Sequence, residues 1–250
     1  MRAPTELAAG VYGLGTDIVN WYVVEDGGRL TAVDAGLPGF AATLEEDLRQ
    51  LGHAIDDVEA VVLMHSDGAH TGVAPRMREA GARVLIHQQD APALRKPGPK
   101  KGDASPRHVL ANLWRPLPRV ILKDTLRNGG MRPSKVGDPE TFSDGDVLDV
   151  PGRPKVIHTP GHTAGHSAVL FEGKRVLFAG DAIITHELVT GGAGVRLMPH
   201  FVNEDNGACL ASLDRLEQVD ADLVLVGHGA PWREGPAAAA RQARSAAMAV

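Results

Sequence analysis

Short apolar runs alternate along the chain with segments of helical periodicity. Residues 18–24 and 30–33 are β-prone runs joined by a Glu-Asp-Gly-Gly turn, which is typical of a hairpin. Residues 58–64 form a continuous apolar run typical of a buried strand. Helices are expected at residues 73–80 and from Pro38, where leucines recur on one face. This alternation predicts an α/β sandwich.

The second half of the chain follows a similar pattern. Residues 167–171 and 175–178 predict a hairpin, and residues 141–150 predict another hairpin that leads into the next strand. Residues 182–204 contain several glycines and predict a long loop. A helix is expected at residues 205–219, and an alanine-rich helix follows from Pro236.

Residues 88–140 differ from the rest in their repeated prolines. Because proline breaks helices and strands, we expect a loop-rich insertion here, with one short helix near residues 109–114. The insertion is either a solvent-exposed loop or a flap over a site. In the second case Trp114 would contribute an apolar surface to the pocket. The length of 250 residues fits a single domain, 1–250, that includes this insertion.

The composition of the chain argues against several classes of function. A formal net charge of −5 argues against nucleic acid as a partner. No apolar stretch approaches the roughly 20 residues that span a bilayer, and residues 1–15 lack the apolar core of a signal peptide. Cys209 is the single cysteine, which excludes a disulfide framework. We expect a cytoplasmic protein that acts on a small molecule without membrane contact, and its oligomeric state stays open.

Histidine and aspartate follow several predicted strands directly, each close to a glycine. Glycine permits tight turns and close backbone approach. Imidazole and carboxylate are ligands that suit zinc, iron or manganese. The pattern therefore predicts a metal site, whose candidate ligands at the strand ends are His65, Asp67, His70, His162, Asp181 and His228.

The order and spacing of these residues resemble the metallo-β-lactamase fold superfamily of metallohydrolases, from about residue 20 to residue 232. That family carries His-x-His-x-Asp-His, followed by a lone His, a lone Asp and a final His. The resemblance implies a four-layer αββα sandwich. It also implies a first metal ion held by His65 and His162, a second held by His70 and His228, and Asp181 as the bridge between them.

Residues outside the ligand set are expected to support the site. Asp34 matches the family's early strand-end aspartate, and His166 is expected to hydrogen-bond beneath the site. His186 and His200 are candidates for substrate contact on the loop of residues 182–204. The alternative for both is a loop histidine without a specific role.

Two positions depart from the family's motif. Asp67 stands where the family has its second histidine, and Ala69 stands where it has the aspartate. The two changes together conserve charge, but Ala69 cannot bind a metal. We therefore expect one zinc ion to be held firmly and the second to be weak or absent, with iron or manganese as other possible metals.

The resemblance implies hydrolysis of an ester, thioester, lactone or amide by a metal-bound hydroxide, with Asp67 and Asp181 as the catalytic carboxylates. Asp67 would take over part of the water-orienting role of the aspartate replaced by Ala69. Two alternatives stay open. One is a degenerate protein that binds a metal or a small molecule without turnover, and the other is a non-haem iron redox enzyme on the same scaffold.

Overall fold

The strands of the chain form two large sheets and a hairpin. The computed structural model describes residues 2–96, 114, 116–130, 134–186 and 193–248, and within them one sheet has seven strands, one has four and one has two. The seven-stranded sheet follows chain order: β1 (Thr5–Ala8), β2 (Val11–Gly15), β3 (Asn20–Asp26), β4 (Arg29–Val33), β5 (Val58–Leu63), β6 (Arg83–His87) and β7 (Glu140–Phe142).

The four-stranded sheet comprises β8 (Lys155–His158), β9 (Ser167–Phe171), β10 (Val176–Gly180) and β13 (Leu223–Val226), in the spatial order β13-β10-β9-β8. The hairpin pairs β11 (Ile184–His186) with β12 (Ala193–Arg196). The α-helices in the part of the chain that the structure describes are α1 (Leu44–Gln50), α2 (Ala74–Glu79), α3 (Ala91–Arg95), α4 (Pro116–Arg127), α5 (Asn206–Glu217) and α6 (Gly235–Met248).

The buried side chains lie in three apolar clusters, and these define the layers. Along β5, Val61 and Leu63 belong to a cluster with residues of α1, α2 and α3, whereas Val62 faces the second sheet. The other face of the second sheet packs against α5 and α6, for example through Leu213 and Ala240. A strand buried on both faces reads as a continuous apolar run. The four-layer αββα prediction is confirmed.

Strand direction determines where the polar loops lie. Strands β4, β5 and β6 are mutually parallel, and β10 is parallel to β13. The carboxyl ends of parallel strands lie at the same edge of their sheet. The segments that follow β4, β5 and β6 therefore share one edge, and those that follow β10 and β13 share another.

Two expectations about strands need correction. β7 pairs in parallel with β6 and not in a hairpin, although the segment after it forms an antiparallel bridge between Val147 and Lys155. The expected loop at 182–204 contains the β11–β12 hairpin. The pattern of a short strand identifies the strand but not its partner.

Within its described residues, the expected loop-rich insertion at 88–140 contains two helices. Both α3 and α4 carry proline in their first turn, at Pro92 and Pro116. Proline is tolerated there because the first amides of a helix need no intrahelical acceptor. These two prolines thus mark helix starts and not loops. The helix expected near residues 109–114 lies outside the described residues, apart from Trp114.

No helix in the described ranges combines the length and apolar character required to cross a membrane.

Gly72 is required by close backbone packing between the loops after β4 and β5. A Cβ at this position would lie 2.1 Å from the carbonyl carbon of Leu37 and 2.5 Å from the carbonyl oxygen of Gly36. We predict that Gly72→Ala lowers the free energy of unfolding by about 3 kcal/mol or more, because backbone atoms cannot yield as a side chain can. Gly137→Ala is the control, since nothing lies within 4 Å of its added Cβ. Urea unfolding of both variants tests this, and equal stability would contradict it.

Candidate metal centre

The turn after β5 carries three of the predicted ligands. His65 and His70 are fully buried, while the side chain of Asp67 is 33% exposed. The amide of His70 donates to the carbonyl of Asp67 at 2.9 Å, and the carbonyl of His70 accepts from the amide of Ala35 at 2.7 Å. The turn is thus fixed internally and tied to the loop after β4.

The second sheet supplies the other three predicted ligands. His162 follows β8, Asp181 follows β10 and His228 follows β13. All three are buried. They project from strand ends of the second sheet towards the turn after β5, so both halves of the sandwich contribute to one cluster.

The cluster is centred on one carboxylate oxygen. Oδ2 of Asp181 lies 3.3 Å from Nε2 of His228 and 3.4 Å from Nε2 of His70. The same oxygen lies 3.6 Å from Nε2 of His162 and 3.8 Å from Nε2 of His65. The structure therefore brings together the four histidines and Asp181, as a bridging ligand requires.

Three overlapping groups of side chains could each hold a metal ion, and one of them, Asp34 with His65 and His70, shares its histidines with the other two. We call His65, Asp67 and His162 the first group, and His70, Asp181 and His228 the second group. Within each group the ligand atoms lie within 4.8 Å of one another. Asp67 belongs firmly to the first group, because its Oδ2 is 3.1 Å from Nε2 of His162.

Hydrogen bonds at Nδ1 orient three of the imidazoles. Nδ1 of His70 donates to Asp34 at 2.7 Å, and Nδ1 of His228 donates to the carbonyl of Ile18 at 2.6 Å. Nδ1 of His162 donates to Oδ1 of Asn203 at 3.0 Å. The amide group of Asn203 donates to Met198 and Asn206, which fixes its oxygen towards His162. A ring that donates at Nδ1 leaves the lone pair of Nε2 for a metal.

His166 lies beneath the cluster and is engaged at both nitrogens. Its Nε2 accepts from the amide of Asp181 at 3.0 Å, and its Nδ1 donates to the hydroxyl of Thr159 at 2.8 Å. Burial, together with the nearby His162, lowers the pKa of His166 to about 3. The ring is therefore neutral and holds the backbone of Asp181.

The pKa values of the histidines shift in different directions. Burial alone would lower the pKa of His70, but Asp181 and Asp34 outweigh it and hold that pKa well above its ordinary value. Burial is likewise outweighed at His162, where Asp67 raises the pKa. At His65 burial and the neighbouring His70 keep the pKa well below its ordinary value.

The carboxylates respond to the same neighbours. Burial opposes ionisation of Asp181, yet His228 and His70 outweigh it and hold its pKa well below the usual range. Burial raises the pKa of Asp34, which His70 partly offsets. The cluster is thus anionic at Asp181 and cationic at His70, a charge pattern in which a metal ion can replace protons.

The residues fit a divalent metal ion. Nε2 of His65, Nε2 of His70 and Oδ1 of Asp181 are buried and have no hydrogen-bond partner among the described residues. Buried polar atoms without a partner are costly, and a cation satisfies them. Gly227 keeps space at this point, because a Cβ there would lie 2.0 Å from Oδ1 of Asp181.

The three substrate-contact candidates are not gathered at the cluster. Trp114 is 70% exposed, and His200 is exposed on the segment before Asn203. His186 ends β11, and its backbone lies against Gly229 beside His228. Only His186 is therefore adjacent to a predicted ligand loop, and a role in substrate contact stays a prediction for all three.

Sequence reasoning missed two buried polar residues near the ligands. Asp90 accepts hydrogen bonds from Ser66 and Thr163, which neighbour the ligands His65 and His162. It follows the end of β6, so the rule that used strand ends could have found it. Asn203 lies in an irregular segment, and no local pattern marks it.

The chain is similar in sequence to a known family of proteins. The family model for the metallo-beta-lactamase superfamily matches residues 14–228. The chain belongs to the metallo-beta-lactamase superfamily. It is similar to the probable metallo-hydrolase YflN of Bacillus subtilis (strain 168), with 27% identity over 240 residues that cover 90% of this chain and 86% of the relative.

Solved structures of the superfamily share this architecture. A metallo-beta-lactamase family protein from Thermus thermophilus has 28% identity and a TM-score of 0.72, covering 98% of this chain and 81% of that chain. A B3 metallo-beta-lactamase with an active-site glutamic acid has 21% identity and the same TM-score of 0.72, covering 100% of this chain and 90% of that chain. The second likeness supports the fold alone.

The structure shows where the two residues that depart from the superfamily motif lie. Asp67 joins the first group and adds a carboxylate to it. Ala69 is half-buried and packs against the apolar cluster of the first sheet. The second group therefore gains no ligand from position 69.

The low pKa of His166 predicts a pH dependence of stability. The unfolded chain binds the proton more tightly than the folded chain, so this contribution is complete above pH 6.5 and is lost as the pH falls towards about 3. In chelator-treated protein, protonation of His166 should lower the free energy of unfolding by about 2 kcal/mol between pH 7 and pH 5. In His166→Gln we expect this decrease to be absent. Unfolding free energies at both pH values measure it. Parallel losses in the variant and the unmodified protein would refute the assignment.

Proposed function

We propose that the protein is a metal-dependent hydrolase that cleaves an ester, thioester, lactone or amide bond of a small molecule. The observation that carries this proposal is the position of Oδ2 of Asp181, which lies 3.3 to 3.8 Å from Nε2 of four histidines on three separate loops. Buried imidazoles gathered around a carboxylate are suited to divalent metal ions. Membership of a superfamily of metallohydrolases supports the same reaction class.

The proposed metal is zinc, and iron or manganese accept the same nitrogen and oxygen ligands. The first group, with Asp181, would hold one ion, and the second group would hold another. A bound divalent ion supplies a nucleophile at neutral pH because it lowers the pKa of water. With Asp181 shared, the first ion would have two imidazoles and two carboxylates, whereas the second would have two imidazoles and one carboxylate, so we propose that the first group binds the firmer ion.

Asp67 is the proposed proton acceptor for the attacking water. Its side chain is 33% exposed, whereas the side chain of Asp181 is 2% exposed and that of His228 is 7% exposed. Water and substrate therefore reach the centre on the side of Asp67. Its carboxylate can orient a water molecule there and take up its proton, while Asp181 stays ionised and bridges the two groups.

A binding protein without turnover is the second candidate, and Ala69 is the observation that favours it. In the superfamily motif a carboxylate stands at this position. If Asp67 cannot replace it in orienting water, the centre binds a metal or a small molecule and does not hydrolyse it. A redox enzyme that uses iron is a further candidate, because two histidines and a carboxylate also suit that metal.

Removal of a ligand from the first group tests the hydrolase proposal. We expect His162→Ala to lower kcat/KM by at least about 100-fold against lactone, thioester, ester and amide probes, because the metal supplies several kcal/mol to the reaction. His53→Ala is the matched control, since His53 contacts Glu25 and Asp57 away from the centre. Unchanged turnover in His162→Ala would refute hydrolysis at this centre.

Restoring the motif at position 69 tests the proposed inequality of the two ions. We expect Ala69→Asp to tighten the second zinc ion by about tenfold or more, because a carboxylate adds a charged ligand beside His70. Ala69→Asn has the same shape without the charge and should tighten it far less. Elemental analysis after dialysis measures the retained zinc. Two equally tight ions in the unmodified protein would contradict the prediction.

A further inference from the structure

Asp90 is a buried carboxylate that lies outside the proposed ligand set. It follows β6, is 4% exposed and occupies the position just before α3. Burial of a carboxylate is costly unless hydrogen bonds compensate it. The partners of this side chain therefore indicate what it does.

Helix capping does not account for Asp90. Aspartate is favoured at the residue before a helix because its side chain can accept a hydrogen bond from the first helical amides. At α3 the side chain of Asp90 makes no such bond. Its oxygens point away from the helix and towards the loops that carry the first group.

Four hydrogen bonds reach the carboxylate of Asp90. On the turn after β5, the amide of Ser66 donates to Oδ2 at 2.9 Å and its hydroxyl donates to the same oxygen at 3.0 Å. On the loop after β8, the hydroxyl of Thr163 donates to Oδ2 at 2.8 Å and the amide of Gly165 donates to Oδ1 at 2.7 Å. A single side chain thus joins a loop of the first sheet to a loop of the second.

The residues that Asp90 joins are direct neighbours of the ligands of the first group. Ser66 lies between His65 and Asp67, and Thr163 follows His162. The spacing of these two loops determines the distance between the ligand atoms, such as the 3.1 Å from Asp67 to His162. The bonds of Asp90 therefore act on the geometry of the first group.

Packing leaves little freedom at this junction. A Cβ on Gly165 would lie 2.6 Å from Oδ1 of Asp90 and 2.7 Å from its backbone nitrogen. Glycine at position 165 is thus needed for the loop after β8 to approach Asp90. The junction is a close-packed contact and not a loose polar bridge.

We propose that Asp90 is a positioning residue that sets the spacing of the two ligand loops and thereby the metal affinity of the first group. It does so through Ser66, Thr163 and Gly165 and does not touch the metal. The inference rests on the proposed metal-dependent function. A residue that only stabilised the fold would change the unfolding free energy but not the affinity of the folded protein for zinc.

The chain offers a matched control. Asp47 is a buried carboxylate on α1 that accepts a hydrogen bond from the hydroxyl of Thr43 at 2.9 Å. The contact between Thr163 and Asp90 has nearly the same geometry, at 2.8 Å. Thr163→Val and Thr43→Val therefore each remove one hydroxyl from a buried aspartate, but only Thr163→Val affects a ligand loop.

The experiment measures zinc affinity by competition with a chelating indicator in a His228→Ala background, where the first group is the intact one. We expect Asp90→Ala to weaken zinc binding 10- to 100-fold, as the loss of residues that orient metal ligands commonly does. Asp47→Ala should change it less than about threefold. Thr163→Val should weaken binding severalfold while Thr43→Val does not, which keeps the test decisive if Asp90→Ala fails to fold.

A cobalt absorption spectrum provides a second readout. With cobalt in place of zinc, Thr163→Val should shift the visible bands of the first group, and Thr43→Val should leave them unchanged. Equal zinc affinities in the Asp90 and Asp47 variants, or a His228→Ala protein that binds no zinc, would overturn the inference. Zinc binding that responds to Asp90 in a protein that hydrolyses none of the probes would refute the proposed function alone.

Discussion

A buried carboxylate among four imidazoles is the constraint on which the rest of this structure depends. Removal of an ionised carboxylate from water is costly, and the cost is tolerated only where charge and hydrogen bonds compensate it. Asp181 meets this condition through the four histidine nitrogens within 3.8 Å of Oδ2 and through the ring of His166 beneath its own backbone. The four imidazoles come from three loops that are far apart in the chain, so the fold must bring these loops to one point.

The sandwich provides this convergence. Parallel pairing places the loops after β4 and β5 at one edge and those after β10 and β13 at another, and the apolar cluster between the sheets fixes their separation. Polar contacts also join the two halves of the sandwich. The hydroxyl of Tyr22 donates to the carbonyl of Val226 at 2.7 Å, just before the loop of His228. Asp90 makes an equivalent connection between the loops of His65 and His162.

The departures from the superfamily motif redistribute charge within this constraint. Asp67 places a carboxylate in the first group, while Ala69 leaves position 69 without one. The number of carboxylates is conserved, but their positions are not. The first group becomes richer in oxygen ligands and more open to solvent, because Asp67 is its most exposed member. The two groups thus become chemically unequal although they share Asp181.

The sequence by itself determined the local features. The spacing of apolar residues and the turn residues located β4, β5, β9 and β10, and histidine or aspartate beside glycine marked the ends of strands. The sequence suffices here because each of these signals lies within a few adjacent residues. Only the tertiary structure decided the parallel partner of β7, the helices of the proline-rich insertion, and Asn203 and the carbonyl of Ile18 as groups that orient the ligands. Asn203 and His162 are 41 residues apart, and Ile18 and His228 are 210 residues apart. Contacts of that range arise from packing of the sheets, and no local pattern encodes them.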